Sequence, residues 1–217
     1  MPASSEALTR ARRDEIVNAC ARLYETRSFK DITLRDIGEQ TSFTRTSIYN
    51  YFHTKEEIFL ALLQREYEAW TEDLEALRRD GEARTGADFA AALARTLEKR
   101  ETMLKLLSMN LYDMERNSRL EALAAFKRAY GASLEAVRRC LEAWFPAMTE
   151  GDVHRFLYAF FPFLFGVYPY TSATEKQKLA MEEAGIEAPR CTIYTITRPL
   201  VEKLLLPFAP GASRGAP

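Results

Sequence analysis

Cysteine is scarce: Cys20, Cys140 and Cys191 are the only three in 217 residues, and they lie far apart. An odd count without close pairs excludes a disulfide framework and the paired spacing of a zinc site. Each thiol is expected to pack as a small buried hydrophobe. Glycine and proline are also thin, at 9 each, and no segment repeats, which excludes collagenous and solenoid chains. No apolar stretch reaches the roughly 20 residues that span a bilayer. The longest, residues 156–168, is broken by Pro162 and Gly166. The opening residues, MPASSEALTRARRDE, lack the apolar core of a signal peptide. These absences predict a soluble, cytoplasmic protein with no membrane partner. Catalytic signatures are missing too: there is no Gly-rich phosphate loop, nucleophile elbow or His-Glu-x-x-His run. The two histidines, His53 and His154, are too distant in sequence to suggest a metal pair. The expectation is a non-enzyme without cofactor or metal.

What is present reads as helix. Ile16, Ala19, Cys20, Leu23 and Tyr24 recur at intervals of three and four, which predicts a helix over 9–26. Three helix starts follow in close order. Thr33 can cap a helix whose third residue is Asp36, with Ile32 and Ile37 placed as a hydrophobic staple. Thr44 can cap a second, stapled by Phe43 and Ile48, and Thr54 a third, with Glu57 completing a capping box. The predicted helices are 33–40, 44–51 and 55–79, and residues 41–43 have the length of a helix-turn-helix turn. Breaks near 80–87 precede helical patterns over 87–115, 119–144, 151–168 and 174–185. Residues 192–206 have the composition of a strand. Their stripe of Ile193, Ile196, Leu200 and Leu204 is helical, and no second strand is available to pair, so helix is predicted. The fold class is all-α, with a polar arm at 1–8 and a loose tail at 209–217.

Acids are missing where they matter. Acids number 31 against 30 bases, for a net charge of −1, so any basic surface must be local. Yet no Asp or Glu occurs from Thr41 until Glu56. Within this gap Phe43, Ile48 and Phe52 would face inward, leaving Arg45, Thr46, Tyr49 and Asn50 outward. A guanidinium, a hydroxyl, a phenol and an amide are the groups that contact phosphates and base edges. Arg45 and Lys55 each follow a capping Thr, where the helix dipole favours an acid. A phosphate docked at those free N–H groups would remove the conflict. With an Arg-rich lead-in at 10–13, the pattern predicts a helix-turn-helix that binds DNA.

The residues between Arg13 and Leu63 resemble the TetR family of bacterial transcriptional regulators. The resemblance rests on Ile16 and Ala19-Cys20-Ala21, on Phe29-Lys30-Asp31-Ile32-Thr33-Leu34-Arg35-Asp36-Ile37-Gly38, and on the run Tyr49-x-Tyr51-Phe52-x-x-Lys55-Glu56-Glu57. Two departures are Ser42, where the family usually has Gly in the turn, and Phe43 in place of Val. Serine at a positive φ would strain that turn. By position, the resemblance implies base reading by Arg45 and Thr46 and phosphate contacts from Ser47, Tyr49, Tyr51 and Lys55. It further implies contacts from Thr33, Arg35 and the capping Thr44, with Asn50 as an additional reader.

The resemblance also implies a division into a helix-turn-helix domain at 9–54 and a helical effector-binding and dimerisation domain at 55–208. The family architecture implies a homodimer through helices at about 151–168 and 192–206, on a pseudo-palindromic double-stranded DNA operator. Its two reading heads would sit about one turn, roughly 34 Å, apart. The first of these helices is apolar nearly all round, so it needs cover on several sides, and Pro162 should bend it. A small-molecule effector would lie between helices of this half, lined by residues such as Met103, Met109, Tyr112, Phe126, Phe160 and Phe163. The function implied is a regulator, a repressor released by its effector. The alternative is a helical homodimeric ligand-binding protein without DNA binding.

Overall fold

The computed structural model describes residues 5–43, 45–79, 85–188 and 190–208, and at Arg45 the backbone alone. Among the described residues every regular element is helical: α1 (Ser5–Thr26), α2 (Leu34–Glu39), α3 (Arg45–Ile48), α4 (Lys55–Arg79), α5 (Gly86–Glu98), α6 (Glu101–Arg116), α7 (Leu120–Trp144), α8 (Glu150–Leu164), α9 (Glu175–Glu183) and α10 (Ile193–Leu205), with short 3-10 turns at Phe29–Asp31, Tyr168–Tyr170 and Leu206–Phe208. None is long and apolar enough to cross a membrane.

The all-α expectation holds, with four changes. The described part of the arm, residues 5–8, is helical and opens α1; residues 1–4 and the tail at 209–217 lie outside the described residues. The single helix expected over 87–115 is two, α5 and α6, divided at Lys99 and Arg100. The helix expected over 44–51 is shorter, because after Ile48 the N–H groups of Asn50 and Tyr51 bond three residues back (3.2 and 2.8 Å). Finally, α8 stops at Leu164 rather than 168. The N–H groups of Phe165 and Gly166 bond three residues back, to Pro162 O and Phe163 O at 3.2 and 2.9 Å, and the chain passes into the 3-10 turn at Tyr168–Tyr170.

The chain forms two compact units. The first comprises Met1–Glu66 and Asn110–Tyr130, the second Tyr67–Met109 and Gly131–Pro217. This division runs within α4 rather than at residue 54, and it assigns the end of α6 and the start of α7 to the unit that carries α3. In the first unit α2 packs on both α1 and α3. Its core is built from Ile16, Cys20, Tyr24, Ile32, Ile37, Ile48, Phe52, Phe59, Met114 and Phe126, all at most 3% exposed. Tyr24 and Phe29 both meet the ring of Phe59 edge-on, with centroids 5.2 and 4.7 Å away. In the second unit α10 packs along α5 through Ile193, Thr197, Val201 and Leu205, four residues apart and hence on one face. Trp70 is fully buried there, and its indole N–H donates to Thr96 Oγ1 at 2.9 Å.

Candidate nucleic-acid interface

The turn between α2 and α3 is built without a left-handed residue. Among the described residues no non-glycine has a positive φ, so Ser42 does not suffer the strain expected of serine in this turn. It is held by side chains of α1. The Ser42 N–H donates to Glu15 Oε1, and Arg12 Nη1 donates to Ser42 Oγ at 2.8 Å. The Arg12 guanidinium also lies 4.9 Å from the centroid of the Phe43 ring and pairs with Glu15 at 3.4 Å. The bonds from Ser42, its backbone N–H foremost, hold the Glu15 carboxyl below its ordinary pKa. Thr41 Oγ1 lies within hydrogen-bond distance of the carbonyls of Gly38 (2.8 Å) and Phe43 (3.1 Å).

Of the three side chains the spacing turns inward, Ile48 and Phe52 lie in the core, at 0% and 2% exposure, and Phe43 is half-buried. Thr46, Tyr49 and Asn50 are exposed on the outer side, and Ser47 and Tyr51 are half-buried. Thr44 and the side chain of Arg45 lie outside the described residues. Where the chain leaves this segment, Arg13 Nη1 donates to Tyr51 O at 3.0 Å, and its guanidinium lies 4.4 Å from the Phe52 centroid. Burial lowers the Arg13 pKa from its ordinary value. The rings of Phe43 and Tyr51 are 6.2 Å apart, which joins the two ends of the reading segment.

Thr33 and Arg35 are exposed at the start of α2. Thr33 caps the helix through a capping box with Asp36, and Arg35 pairs with Glu39 at 2.9 Å across one helical turn. Lys55 resolves its conflict with the helix dipole differently from the phosphate docking expected. Its ammonium donates to the carbonyls of Phe29 and Ile32 at 2.8 and 3.1 Å and sits 4.5 Å from the Phe29 ring centroid. An ammonium carries three N–H groups, so two carbonyls do not exhaust it.

For several residues that build this surface, the sequence marked the position but not the partner. Arg12 and Arg13 read as a basic lead-in for DNA; in the structure their guanidiniums reach the segment around α3, with Arg12 half-buried and Arg13 exposed. The signal was their phase: they lie three to five residues before the buried pair Ile16 and Val17, on the same side of α1. Glu57 was expected to complete a capping box with Thr54. Instead, Oε2 accepts from the His53 N–H at 2.8 Å, and the carboxylate takes the Nε and Nη2 groups of Arg119 at 2.6 and 2.9 Å. The Arg119 backbone N–H adds a bond at 3.0 Å. Thr54 Oγ1 accepts from the Glu57 N–H at 3.2 Å and donates to Asn117 O at 3.1 Å. Burial alone would raise the Glu57 pKa, but the Arg119 and His53 bonds bring it down to about 2.

The six residues expected to line an effector pocket are divided between the two units, Tyr112 and Phe126 in the first and the other four in the second. Met103 and Phe160 are fully buried in the second unit, where Phe163 is half-buried with its ring 6.4 Å from that of Phe160. Phe126 is a core residue of the first unit. Met109 and Tyr112 are exposed, at 60% and 73%. Residue type suggested them, but on α6 they fall off the stripe of Met103, Leu107 and Met114 that faces inward. Among the described residues no cluster of His, Cys, Asp or Glu could hold a metal.

Two family patterns match the chain. Residues 16–62 match the bacterial regulatory proteins of the tetR family, and residues 64–206 match the tetracyclin repressor-like C-terminal domain. No curated protein sequence matches. Similar solved structures include FadR from Bacillus subtilis in complex with stearoyl-CoA, at 16% identity and a TM-score of 0.59, covering 93% of this chain and 98% of that one. Thermus thermophilus FadR, a transcriptional repressor in complex with lauroyl-CoA, aligns at 17% identity and a TM-score of 0.56, covering 95% and 99%. A putative transcriptional regulator from Mesorhizobium loti aligns at 14% identity and a TM-score of 0.61, covering 93% and 98%.

Proposed function

Because the chain belongs to the tetR family of bacterial regulatory proteins, we propose that it binds a specific duplex sequence as a homodimer and represses transcription until an effector releases it. It acts in the cytoplasm, by binding and not by catalysis. The observation that carries this reading is the outer face of the segment from Arg45 to Tyr51. Thr46, Tyr49 and Asn50 are exposed there without an acid among them, while Ile48 and Phe52 fix the opposite face in the core. Hydroxyl, phenol and amide groups on a short helix and the turn that follows it suit a major groove. Arg45 and Thr46 read bases. Ser47, Tyr49, Tyr51 and Lys55 contact the backbone, with Thr33, Arg35 and Thr44 beside them and Asn50 as a further reader.

The dimer forms through α8 and α10. Tyr158 on α8 is 71% exposed and Phe165, just past its end, 36% exposed, with Ala159 and Pro162 exposed between them. An apolar strip of that kind on a single chain calls for cover. The effector has an apolar portion that enters the second unit, whose interior is rich in aromatic side chains such as Tyr67, Trp70, Phe89 and Phe160. The acyl-CoA thioesters held by the two FadR structures are the first compounds to try.

The deciding experiment is selection from random duplex oligonucleotides by the purified protein, followed by anisotropy titration of the winner at several salt concentrations. A two-fold symmetric site and a steep fall of affinity with salt are expected. Enrichment of no sequence would leave the second reading, a helical ligand-binding dimer without DNA binding.

A further inference from the structure

We infer that Arg12 and Arg13 form a two-point clamp that sets the angle of the reading helix α3, making them positioning residues for sequence discrimination rather than contacts to DNA. The inference rests on the DNA-binding reading above. Four residues of α-helix are far below the length at which a helix holds itself. The buried anchors of the segment, Ile48 and Phe52, are four residues apart and so lie on one line along its inner face. Two anchors on a line leave rotation about that line unopposed.

Two guanidiniums from a single turn of α1 oppose it, one at each end. Arg12 holds the incoming end through Ser42 Oγ at 2.8 Å and the Phe43 ring at 4.9 Å. Arg13 holds the outgoing end through Tyr51 O at 3.0 Å and the Phe52 ring at 4.4 Å. Each pairs a hydrogen bond to the segment with a planar guanidinium set over a ring, a rigid forked geometry that lysine's point charge on a flexible stem holds less firmly. Glu15 completes the grip by pairing with Arg12 and accepting the Ser42 N–H. The same arginine thus supports both positions at which the turn departs from the family pattern, Ser42 and Phe43. Base contacts demand placement within about 0.5 Å, whereas phosphate contacts tolerate more. Loosening the clamp therefore costs discrimination first.

The test uses the full chain and the operator it selects from random duplexes. Arg12→Gln and Arg13→Gln are titrated by anisotropy against that operator and against a scrambled duplex, over a range of salt. For each variant the ratio of the two affinities should fall by about tenfold or more, with scrambled-duplex binding and the salt slope kept. Arg12→Lys, which keeps the charge, should not restore the ratio. Three results overturn the clamp: an unchanged ratio, full rescue by lysine, or an equal loss on both duplexes with the salt slope reduced by about one unit, the mark of a phosphate contact. If Arg12→Gln does not fold, Ser42→Ala combined with Phe43→Leu removes what Arg12 grips; the same loss of ratio supports the clamp and its absence sinks it. A wild type that selects no duplex at all overturns the DNA-binding reading itself, a failure visible before any variant is made.

Discussion

Glu57 carries a buried charge, with 1% of the residue exposed, and its partners explain why that is tolerated. Arg119 alone supplies three N–H groups to it. Removing one partner of a fully buried pair costs about 3–5 kcal/mol. Arg119 is 45% exposed along its side chain, so Arg119→Ala should cost less than that, read as a lower chemical-denaturation midpoint. The folded pKa of about 2 lies below the ordinary 4.5, so the carboxylate's contribution is complete above the ordinary value and is lost as pH falls toward the folded one. Glu57→Gln should therefore lower stability at neutral pH and flatten the acid limb of the pH–stability curve over that interval. The two carbonyls on Lys55 likewise lose a charged donor in Lys55→Ala, for about 1–2 kcal/mol, read as a lower unfolding midpoint of the first unit. Neither partnership was legible in the sequence. A capping box joins neighbours, whereas Arg119 lies 62 positions from Glu57, and nothing in the spacing marks Phe29 O or Ile32 O as acceptors for Lys55.

At the scale of elements the sequence was far more readable, because caps and periodicity are local. Thr33, Thr85, Thr149, Thr174 and Thr192 each cap a helix through a reciprocal capping box. The first follows a rule the sequence displays directly, and the last decides for helix in a segment with strand composition. Thr149→Ala should cost about 1 kcal/mol, measured as a shift in the denaturation midpoint. α9 ends on Gly185 at φ +68°, with the Ile186 and Gly185 N–H groups bonded back to Met181 O and Glu182 O at 2.8 and 3.1 Å. Gly185→Ala should destabilise this end by about 1 kcal/mol, seen as faster hydrogen exchange in α9. The division between α5 and α6 was hidden because Leu97 and Leu104 stay in helical phase across it. The break is pinned by Arg100, which donates to Asp73 Oδ2 at 2.6 Å and Ala69 O at 3.2 Å. A charged residue at an in-phase position was its single sequence signal.

For the whole molecule, the reading requires two copies. Tyr158→Asp places a charge on the exposed strip of α8 and should convert the dimer to a monomer in sedimentation analysis, with the helical circular dichroism unchanged. Operator affinity should then drop with the loss of two-headed binding. By linkage, an effector that weakens operator binding is itself bound more weakly when operator is present, by the same factor. The inward faces of the helices were legible, since periodicity reports them. Which helix serves which unit was not, since that depends on tertiary partners.

The membership of Asn110–Tyr130 in the unit that carries α3 bears on modularity. A fragment cut at the family boundary near residue 62 would strip Glu57 of its guanidinium and take Met114 and Phe126 out of a packed interior. The unit that carries α3 is thus discontinuous in sequence, and grafting it onto another regulator means transplanting a distant corner of the chain along with it.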